Sequence, residues 1–253
     1  ALKATCALLP DTNCPATNRN KQTETKMELR TSFYEQLLQL PLFQGTNRSD
    51  FMEIVEKVKF SFFKARETQL VARQDTLSNR LVFILRGSVR TEHTSDDHSY
   101  SFSERLIHQT VIQPESLFGL SNHYSRNYWA EAETEYLSIN KDAVRDFLFL
   151  YPTFRINFLN LLSTQVQQKT RLLWRQTPET PHKRFALFVL KHCPHPAGEK
   201  TLKIKMEQLA KELLETRLNV SKMLHELSDK ELVSISRGKI VIPKAENLFG
   251  QLQ

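Results

Sequence analysis

The sequence predicts an α+β fold in which short antiparallel strands come first, one long helix follows, and a small helical module ends the chain. Short apolar runs recur at intervals of roughly ten residues between residues 59 and 139, as in an antiparallel barrel or sandwich. A continuous helical period then spans residues 152–175. Two shorter helical periods and a hairpin pattern occupy residues 203–242, which indicates a separate module.

The composition excludes several classes of protein. The chain has 253 residues, of which 40% are apolar and 25% charged, a balance typical of a globular protein. No apolar run approaches the ~18 residues of a membrane span, so we expect no membrane partner. Three cysteines cannot form a disulfide scaffold, which favours a reducing, cytoplasmic location. Six glycines argue against glycine-rich nucleotide loops.

The first 26 residues are polar and show no periodicity, which predicts a disordered tail over residues 1–26. Organised sequence begins at Met27, so we expect Met27 to be the natural start of the protein. One helical face should then carry Phe33, Leu37, Leu38 and Leu40, with Pro41 ending the helix. A second short helix should begin after a cap formed by Ser49 and Asp50. Its apolar side chains are Phe51, Ile54, Val55 and Val58.

The strand region has breaks that identify its turns. Gly87 separates two strand patterns at a point where a tight turn needs positive φ, and residues 114–116 (Pro-Glu-Ser) indicate another turn. The predicted strands are Lys59–Phe63, Gln69–Ala72, Leu81–Arg86, Ser88–His93, Tyr100–Phe102, Leu106–Ile112, Tyr128–Ala132 and Tyr136–Ile139.

Helical periodicity returns after the strands. A short helix is predicted at Lys141–Leu150, and Pro152 suits the first position of the long helix, which would span about 35 Å at ~1.5 Å per residue. An apolar stripe along it is nearly a coiled-coil seam, so we expect it to form the interface of a homodimer. The stripe consists of Phe158, Leu162, Val166, Lys169 and Leu173. The flanking Leu159, Leu161 and Leu172 should then lie against the strands.

Pro178 and Pro181 break the long helix and mark a domain boundary. Thr180 should cap the next helix, which carries apolar residues from Phe185 to Leu190, and residues 192–198 should form a loop.

The stretch from Lys203 to Ile242 has the spacing of a helix-turn-helix followed by a hairpin. Helices Met206–Leu214 and Arg217–Lys230 are joined by two residues, with Thr216 capping the second helix. Strands on either side of residues 237 and 238 form a wing. The exposed residues suited to base edges and phosphates are Thr216, Arg217, Leu218, Asn219, Ser221, Lys222, Arg237 and Lys239.

The positive charge is concentrated in this part of the chain. From Pro152 onwards the sequence holds 17 Lys and Arg against 9 Asp and Glu, whereas the preceding residues are close to neutral. A basic module behind a near-neutral one favours a polyanion binder joined to a sensor or scaffold.

With these motifs the chain resembles the Crp/Fnr family of bacterial transcription regulators. The resemblance covers nearly everything after Met27 and rests on four segments: Val82–Val89, Pro114–Gly119, Arg184–Ala186 and Lys203–Leu232. It implies an N-terminal antiparallel β-roll (jelly-roll-like) sensor domain over residues 27–150, a dimerisation helix over 151–176 and a winged helix-turn-helix DNA-binding domain over 177–253. It also implies a palindromic double-stranded DNA operator, a homodimer, and RNA polymerase as a further partner.

Some positions depart from the family pattern. Leu218 stands where many members carry a glutamate that accepts from cytosine, so the common operator is in doubt. Leu214 stands where the family's turn often has glycine, and positive φ there would cost Leu about 1–2 kcal/mol, so we expect a slightly different turn.

The segment from Gly119 to Arg126, which the resemblance implies as part of the effector site, departs further from the family pattern. Gly119 is followed by Leu120 instead of the ribose-binding glutamate, and the segment to Arg126 is shorter than in cyclic-AMP-binding members, so we do not expect cyclic AMP to bind. By position, the resemblance implies an effector site of unknown ligand formed by Gly119, Arg126, Asn127, Lys169 and Thr170.

Other cofactors leave weaker marks. Cys6 and Cys14 are too few for an iron–sulfur cluster, and Cys193 should be a buried or unpaired thiol. Haem stays open because four histidines in the roll could supply an axial ligand: His93, His98, His108 and His123. A cupin-type metal enzyme would need a compact His-x-His pair, which is missing, and no nucleophile has a paired base. We therefore predict a DNA-binding regulator and not an enzyme. The alternative is a ligand-binding or protein-interaction module with a cyclic-nucleotide-binding-like roll.

Overall fold

A computed structural model describes residues 35–107 and 109–250. The predicted tail, Met27, Phe33 and His108 lie outside these residues. Residues 35–38 are helical, and the chain then enters helix α1 (Arg48–Lys57). The cap of α1 differs from the prediction. The side chain of Asn47, not Ser49 or Asp50, accepts a hydrogen bond from the backbone N–H of Asp50 at 2.7 Å.

Eight antiparallel strands form the roll (residues 60–140), and three more follow in the C-terminal module (residues 181–250). The roll strands are β1 (Phe60–Ala65), β2 (Leu70–Ala72), β3 (Arg80–Arg86), β4 (Ser88–Thr94), β5 (Tyr100–Ile107), β6 (Thr110–Ile112), β7 (Asn127–Ala130) and β8 (Thr134–Asn140). The later strands are β9 (Lys200–Ile204), β10 (Ser234–Ser236) and β11 (Lys239–Ile242).

The strands make two sheets. One has the order β1-β8-β3-β6, and the other has the order β10-β11-β9-β5-β4-β7-β2. The predicted strand Leu106–Ile112 is divided, because its first residues extend β5 and its last form β6. Strand β9 was not predicted. It pairs with β11 on one side and with β5 of the roll on the other, so one sheet runs from the roll into the C-terminal module.

Gly87 makes the β3–β4 turn at φ +88°, as its position predicts. A Cβ atom there would lie 2.6 Å from the carbonyl oxygen of Glu133, so no other residue fits without moving the backbone. Residues 114–116 form the predicted turn as a short 3₁₀ helix.

The helices that follow the roll are α2 (Lys141–Asp146), α3 (Pro152–Leu173), α4 (Pro181–His192), α5 (Met206–Glu212), α6 (Arg217–Asp229) and α7 (Ala245–Phe249). The helix predicted to reach Leu150 ends at Asp146, and residues 148–150 form a 3₁₀ turn. Thr180 caps α4 as predicted, its Oγ1 accepting from the N–H of Lys183 at 3.4 Å.

Three apolar clusters hold these elements together. One lies between the two sheets and includes Val82, Val89 and Tyr128. A second joins α1, α2 and the start of α3 to the four-stranded sheet. The third is the core of the C-terminal module, and it contains Phe102 of β5. The roll therefore contributes a buried side chain to the core of the module, beside the strand pairing that joins them.

Candidate nucleic-acid interface

Helix α6 has one buried and one exposed face. Val220, Met223, Leu224 and Leu227 are buried in the module core, at the spacing that predicted the helix. The helix begins where expected, because Thr216 Oγ1 accepts a hydrogen bond from the N–H of Asn219 at 3.2 Å.

The predicted contact residues of α6 lie on its exposed side. Thr216, Arg217, Leu218, Asn219 and Lys222 are exposed, and Ser221 is half-buried. The Arg217 side chain is 71% exposed and its Nη1 lies 3.7 Å from Glu207 Oε1, an ion pair too exposed to hold it. The amide of Asn219 already donates to Glu215 Oε2 at 3.0 Å, so it would have to exchange this bond for a new one.

The hairpin β10–β11 packs against α6 through β10. Arg237 and Lys239 are exposed at its turn, where Gly238 adopts φ +70°. The hairpin therefore lies next to α6 through β10, with both predicted cations exposed at its tip.

His225 extends this face and was missed in the sequence. It lies one turn after Ser221 on the exposed side of α6, and its Nδ1–H donates to the carbonyl of Ser221 at 2.7 Å. The spacing of four residues from Ser221 is the signal that could have identified it.

The turn between α5 and α6 is held by Arg184 of α4. The Arg184 guanidinium donates to the carbonyls of Leu213 at 3.0 Å and Leu214 at 3.3 Å, and to Glu215 Oε1 at 2.7 Å. Leu214 adopts φ +53° within this turn. The sequence led us to expect a different turn because leucine disfavours that region, but the left-handed conformation is retained.

The predicted effector residues separate into two groups. Arg126 and Lys169 line the same cavity between the roll, α3 and the C-terminal module. The other three residues do not line that cavity. Gly119 is exposed with φ +101°, and Thr170 is also exposed. The side chain of Asn127 accepts a hydrogen bond from the backbone N–H of Gln74. The structure therefore brings together only the two cations of the predicted set.

The predicted thiol and histidines take varied positions. Cys193 is a free, partly buried thiol, and burial raises its pKa above the ordinary value. His93 lines the same cavity, whereas His98 is exposed in the β4–β5 turn and His123 is exposed in an isolated β-bridge with Leu77. Within residues 35–107 and 109–250, no cluster of His, Cys, Asp and Glu is suited to a metal ion, and no helix is both long and apolar enough to cross a bilayer.

The exposed apolar face of α3 differs from the predicted stripe. Phe158 is 3% exposed and contacts Phe118 and Phe149 of its own chain, and Leu162 also packs on the roll core. Leu159, expected to face the strands, is 51% exposed instead. The apolar residues left on the outer face are Ile156, Leu159, Val166 and Leu173. With Ser163 and Thr170 they alternate at spacings of three and four, as in a coiled-coil seam.

Comparisons with known proteins find relatives of moderate identity. No protein-family model matches the chain. The chain is 26% identical over 187 residues to the global nitrogen regulator of a Nostoc species, covering 69% of this chain and 81% of the relative. It is 25% identical over 178 residues to the global nitrogen regulator of a Synechocystis species, and this match covers 65% of this chain and 76% of the relative.

Solved structures with a similar arrangement include the catabolite activator protein of Thermus thermophilus, which is 20% identical to this chain with a TM-score of 0.47. The match covers 84% of this chain and 100% of that protein. Another comes from Eubacterium rectale and is described as a transcriptional regulator of the Crp/Fnr family. It is 20% identical with a TM-score of 0.45, and the match covers 85% of this chain and 98% of that protein. The resemblance to the Crp/Fnr family that the motifs indicate is confirmed.

Proposed function

We propose that this Crp/Fnr-like protein is a homodimeric, sequence-specific DNA-binding transcription regulator in which the roll senses a signal and α3 passes it to the C-terminal module. The observation that carries the proposal is the exposed start of α6, where Arg217 and Lys222 are exposed on a helix whose other face is buried. Polar and cationic side chains at the start of a helix are the groups that read base edges in a major groove.

In this proposal α5, the Leu214 turn and α6 form the helix-turn-helix, and β10–β11 is the wing. Arg217 approaches a base edge, for which its planar guanidinium can form two parallel hydrogen bonds. Lys222, Arg237 and Lys239 neutralise phosphates, and the positive charge of the last two-fifths of the chain supports that role.

A second copy of the chain completes the DNA-binding unit. The outer face of α3, with Ile156, Leu159, Val166 and Leu173 exposed, supports a parallel or antiparallel helix pair. Two copies related by a two-fold axis would place their α6 helices about one DNA turn apart, ~34 Å, on a palindromic site.

Selection of binding sites from random duplex DNA tests the proposal. We expect one palindromic sequence to be enriched, and its affinity to fall steeply with salt because cations on the protein displace counterions from phosphates. If no sequence is enriched and no salt-sensitive duplex binding is found, the C-terminal module is a protein-interaction module and the proposal is wrong.

Two substitutions separate base reading from phosphate contact. Arg217→Ala should cost about 1–3 kcal/mol of binding free energy on the selected site and relax the preference at one base pair of each half-site. Lys222→Ala should weaken all sequences alike and reduce the salt slope by about one per subunit. Arg48→Ala is the matched control, because it removes the same charge from an exposed position of α1. It should change neither the affinity for the selected site nor the salt slope. Wild-type affinity and selectivity in Arg217→Ala would show that α6 does not read DNA.

A further inference from the structure

His225 lies on the middle line of the exposed face of α6. Leu218, Lys222 and His225 follow one another at spacings of four and three residues, so they project in one direction, and all three are exposed. His225 also lies eight residues after Arg217, about 12 Å further along the helix axis at ~1.5 Å per residue. A DNA-reading helix contacts base edges near its start and meets the sugar-phosphate backbone towards its end. The position of His225 therefore favours a backbone contact.

The hydrogen bond from His225 to Ser221 fixes which ring nitrogen carries a proton. Nδ1 lies 2.7 Å from the carbonyl oxygen of Ser221, and a carbonyl can only accept, so Nδ1 carries its hydrogen in the neutral and in the charged ring. Nε2 has no hydrogen-bond partner among the described residues. It is therefore an acceptor in the neutral ring and a donor in the charged ring. A gained proton changes this one atom and leaves the bond to Ser221 in place.

The free protein provides no counter-ion for a charged His225. In the part of the chain that the structure describes, no carboxylate lies within 4.0 Å of its ring. On the same helix Lys222 disfavours a charge on His225 and Asp229 favours one, but both side chains are exposed, so these effects are small. Glu226, the next residue, pairs instead with His182 of α4 at 2.9 Å.

The elements packed against α6 do not change this balance. They are α4, α5 and β10, and β10 has no titratable side chain. The ion pair between α5 and α6 joins Glu207 to Arg217, two turns before His225. The other acid of α5 is Glu212, which accepts from Gln208 at 2.8 Å. The remaining titratable side chains of α4 and α5 are Lys183, Arg184, Lys191, His192 and Lys211. A phosphate of bound DNA would thus be the first anion to reach the ring.

We propose that His225 is a proton-dependent phosphate contact, in which the charged ring donates Nε2–H to the DNA backbone while Nδ1–H keeps its bond to Ser221. The proposal rests on the proposed function, because it needs α6 to lie in a groove of DNA. The neutral ring would present a lone pair to an anionic oxygen, so it cannot make this contact. Phosphate therefore favours the charged ring, and each subunit takes up a proton on binding. Histidine changes charge between about pH 5 and 8, so DNA affinity should rise as pH falls through this range.

Titration of a fluorescent duplex of the selected sequence at about pH 8 and about pH 6, at constant ionic strength, measures this dependence. The wild type should bind roughly tenfold more tightly at the lower pH, and its salt slope should grow by about 0.9 per subunit, the value for one more phosphate contact. His225→Gln should bind like the wild type at the higher pH and lack the gain at the lower pH. His225→Lys is charged at both, so it should bind at the higher pH as tightly as the wild type does at the lower. Both replacements are at an exposed position and favour helix, so both should fold.

Calorimetry in two buffers of different ionisation enthalpy counts the protons directly. The wild type should take up protons when it binds the duplex near neutral pH, up to about one per subunit, and His225→Gln should take up fewer. His123→Gln, at an exposed position of the roll, is the matched control and should keep both the pH dependence and the proton uptake. His182→Gln should keep them as well, although His182 also contacts α6 through Glu226.

Three results would overturn the proposal. The same pH dependence in the wild type and in His225→Gln would show that this ring does not contact DNA, while the proposed function would stand. A pH effect on the selected sequence that is absent on an unrelated duplex would show a contact with a base and not with phosphate. If no duplex binds at any pH, the proposed function fails and the contact fails with it.

Discussion

Leu214 shows how a single unfavourable backbone conformation is accommodated. Its φ of +53° puts a leucine in the left-handed region, and its side chain is 78% exposed, so it gains little from burial. Two hydrogen bonds from Arg184 to the carbonyls of Leu213 and Leu214, and a third to the carboxylate of Glu215, hold this turn from outside. The neighbouring helix, not the turn residue, therefore stabilises the geometry.

Replacing Leu214 with glycine should raise the free energy of unfolding by about 0.5–1 kcal/mol, because relief of ~1–2 kcal/mol of strain exceeds the entropy cost of glycine. Denaturant unfolding measures this change. Leu218→Gly is the matched control, since Leu218 is 65% exposed but lies in α6, where glycine should cost about 1 kcal/mol. A loss of stability in Leu214→Gly comparable to that of the control would contradict the strain argument.

At the scale of elements, α3 presents opposite faces to two different surfaces. Phe154 and Phe158 are buried in the roll core, whereas Val166 and Leu173 are 63% and 83% exposed. A helix with one apolar face covered and another uncovered needs a further partner to bury the second.

Glutamates at Val166 and Leu173 together should give a folded monomer, because each copy would place charge in an apolar seam. Light scattering at micromolar concentration gives the oligomeric state, and circular dichroism checks the fold. Met52→Glu, on the exposed surface of α1, is the control and should leave the dimer intact. A wild-type monomer, or a dimer in the doubly substituted chain, would show that this face is not the interface.

The β5–β9 joint is a second element whose strength can be measured. It contains a buried ion pair, in which Lys200 Nζ lies 3.3 Å from Glu104 Oε1. Glu104→Gln leaves Lys200 buried without its counter-ion and should lower the free energy of unfolding by roughly 3–5 kcal/mol. Glu92→Gln is the matched control, because Glu92 pairs with Lys203 across the same joint at 2.9 Å but both side chains are partly exposed, so the loss should be below about 1 kcal/mol. Equal small losses in both variants would mean that the buried pair does not stabilise the joint.

The same pair predicts a pH dependence. Burial would raise the pKa of Glu104, but the hydrogen bonds from His195 and the charge of Lys200 outweigh it and hold the pKa below the ordinary value. A carboxyl with a lowered pKa stabilises the fold above its unfolded pKa of about 4.3, and this contribution is lost as pH falls through the folded pKa. The difference in unfolding free energy between wild type and Glu104→Gln should thus be constant above about pH 5 and shrink below pH 4.

At the scale of the whole molecule, the features that could be predicted from the sequence are those set by nearby residues. The Gly87 turn, the Thr180 and Thr216 caps and the positions of most roll strands follow from signals within a few residues. Strand β9 was not predictable in the same way, because its five residues become a strand only by pairing with β5 and β11, which lie far away in sequence. The burial of Lys200 was not predictable for the same reason, since its counter-ion Glu104 lies far away in sequence.

In the candidate site, too, features set by nearby residues were predictable and features set by distant residues were not. The exposed face of α6 could be derived from helical spacing alone, because the buried residues fix which side points outward. The seam of α3 could not, because the helix carries two apolar stripes and only the packing of Phe158 against Phe118 and Phe149 decides which one faces the roll. The cavity beside Arg126 required three segments to be placed together, which no local pattern indicates.

The seven-stranded sheet also has a consequence for the synthesis of the chain. Without β9, strand β5 would be an edge of the roll, with unpaired backbone groups along Tyr100–Glu104. On the ribosome the roll is complete well before residues 200–204 emerge, so this edge stays open to other chains in the meantime. Proteolytic loss of the C-terminal module would open it again. Nascent and clipped chains should therefore be the forms that aggregate and need a chaperone, while the finished protein closes its own edge.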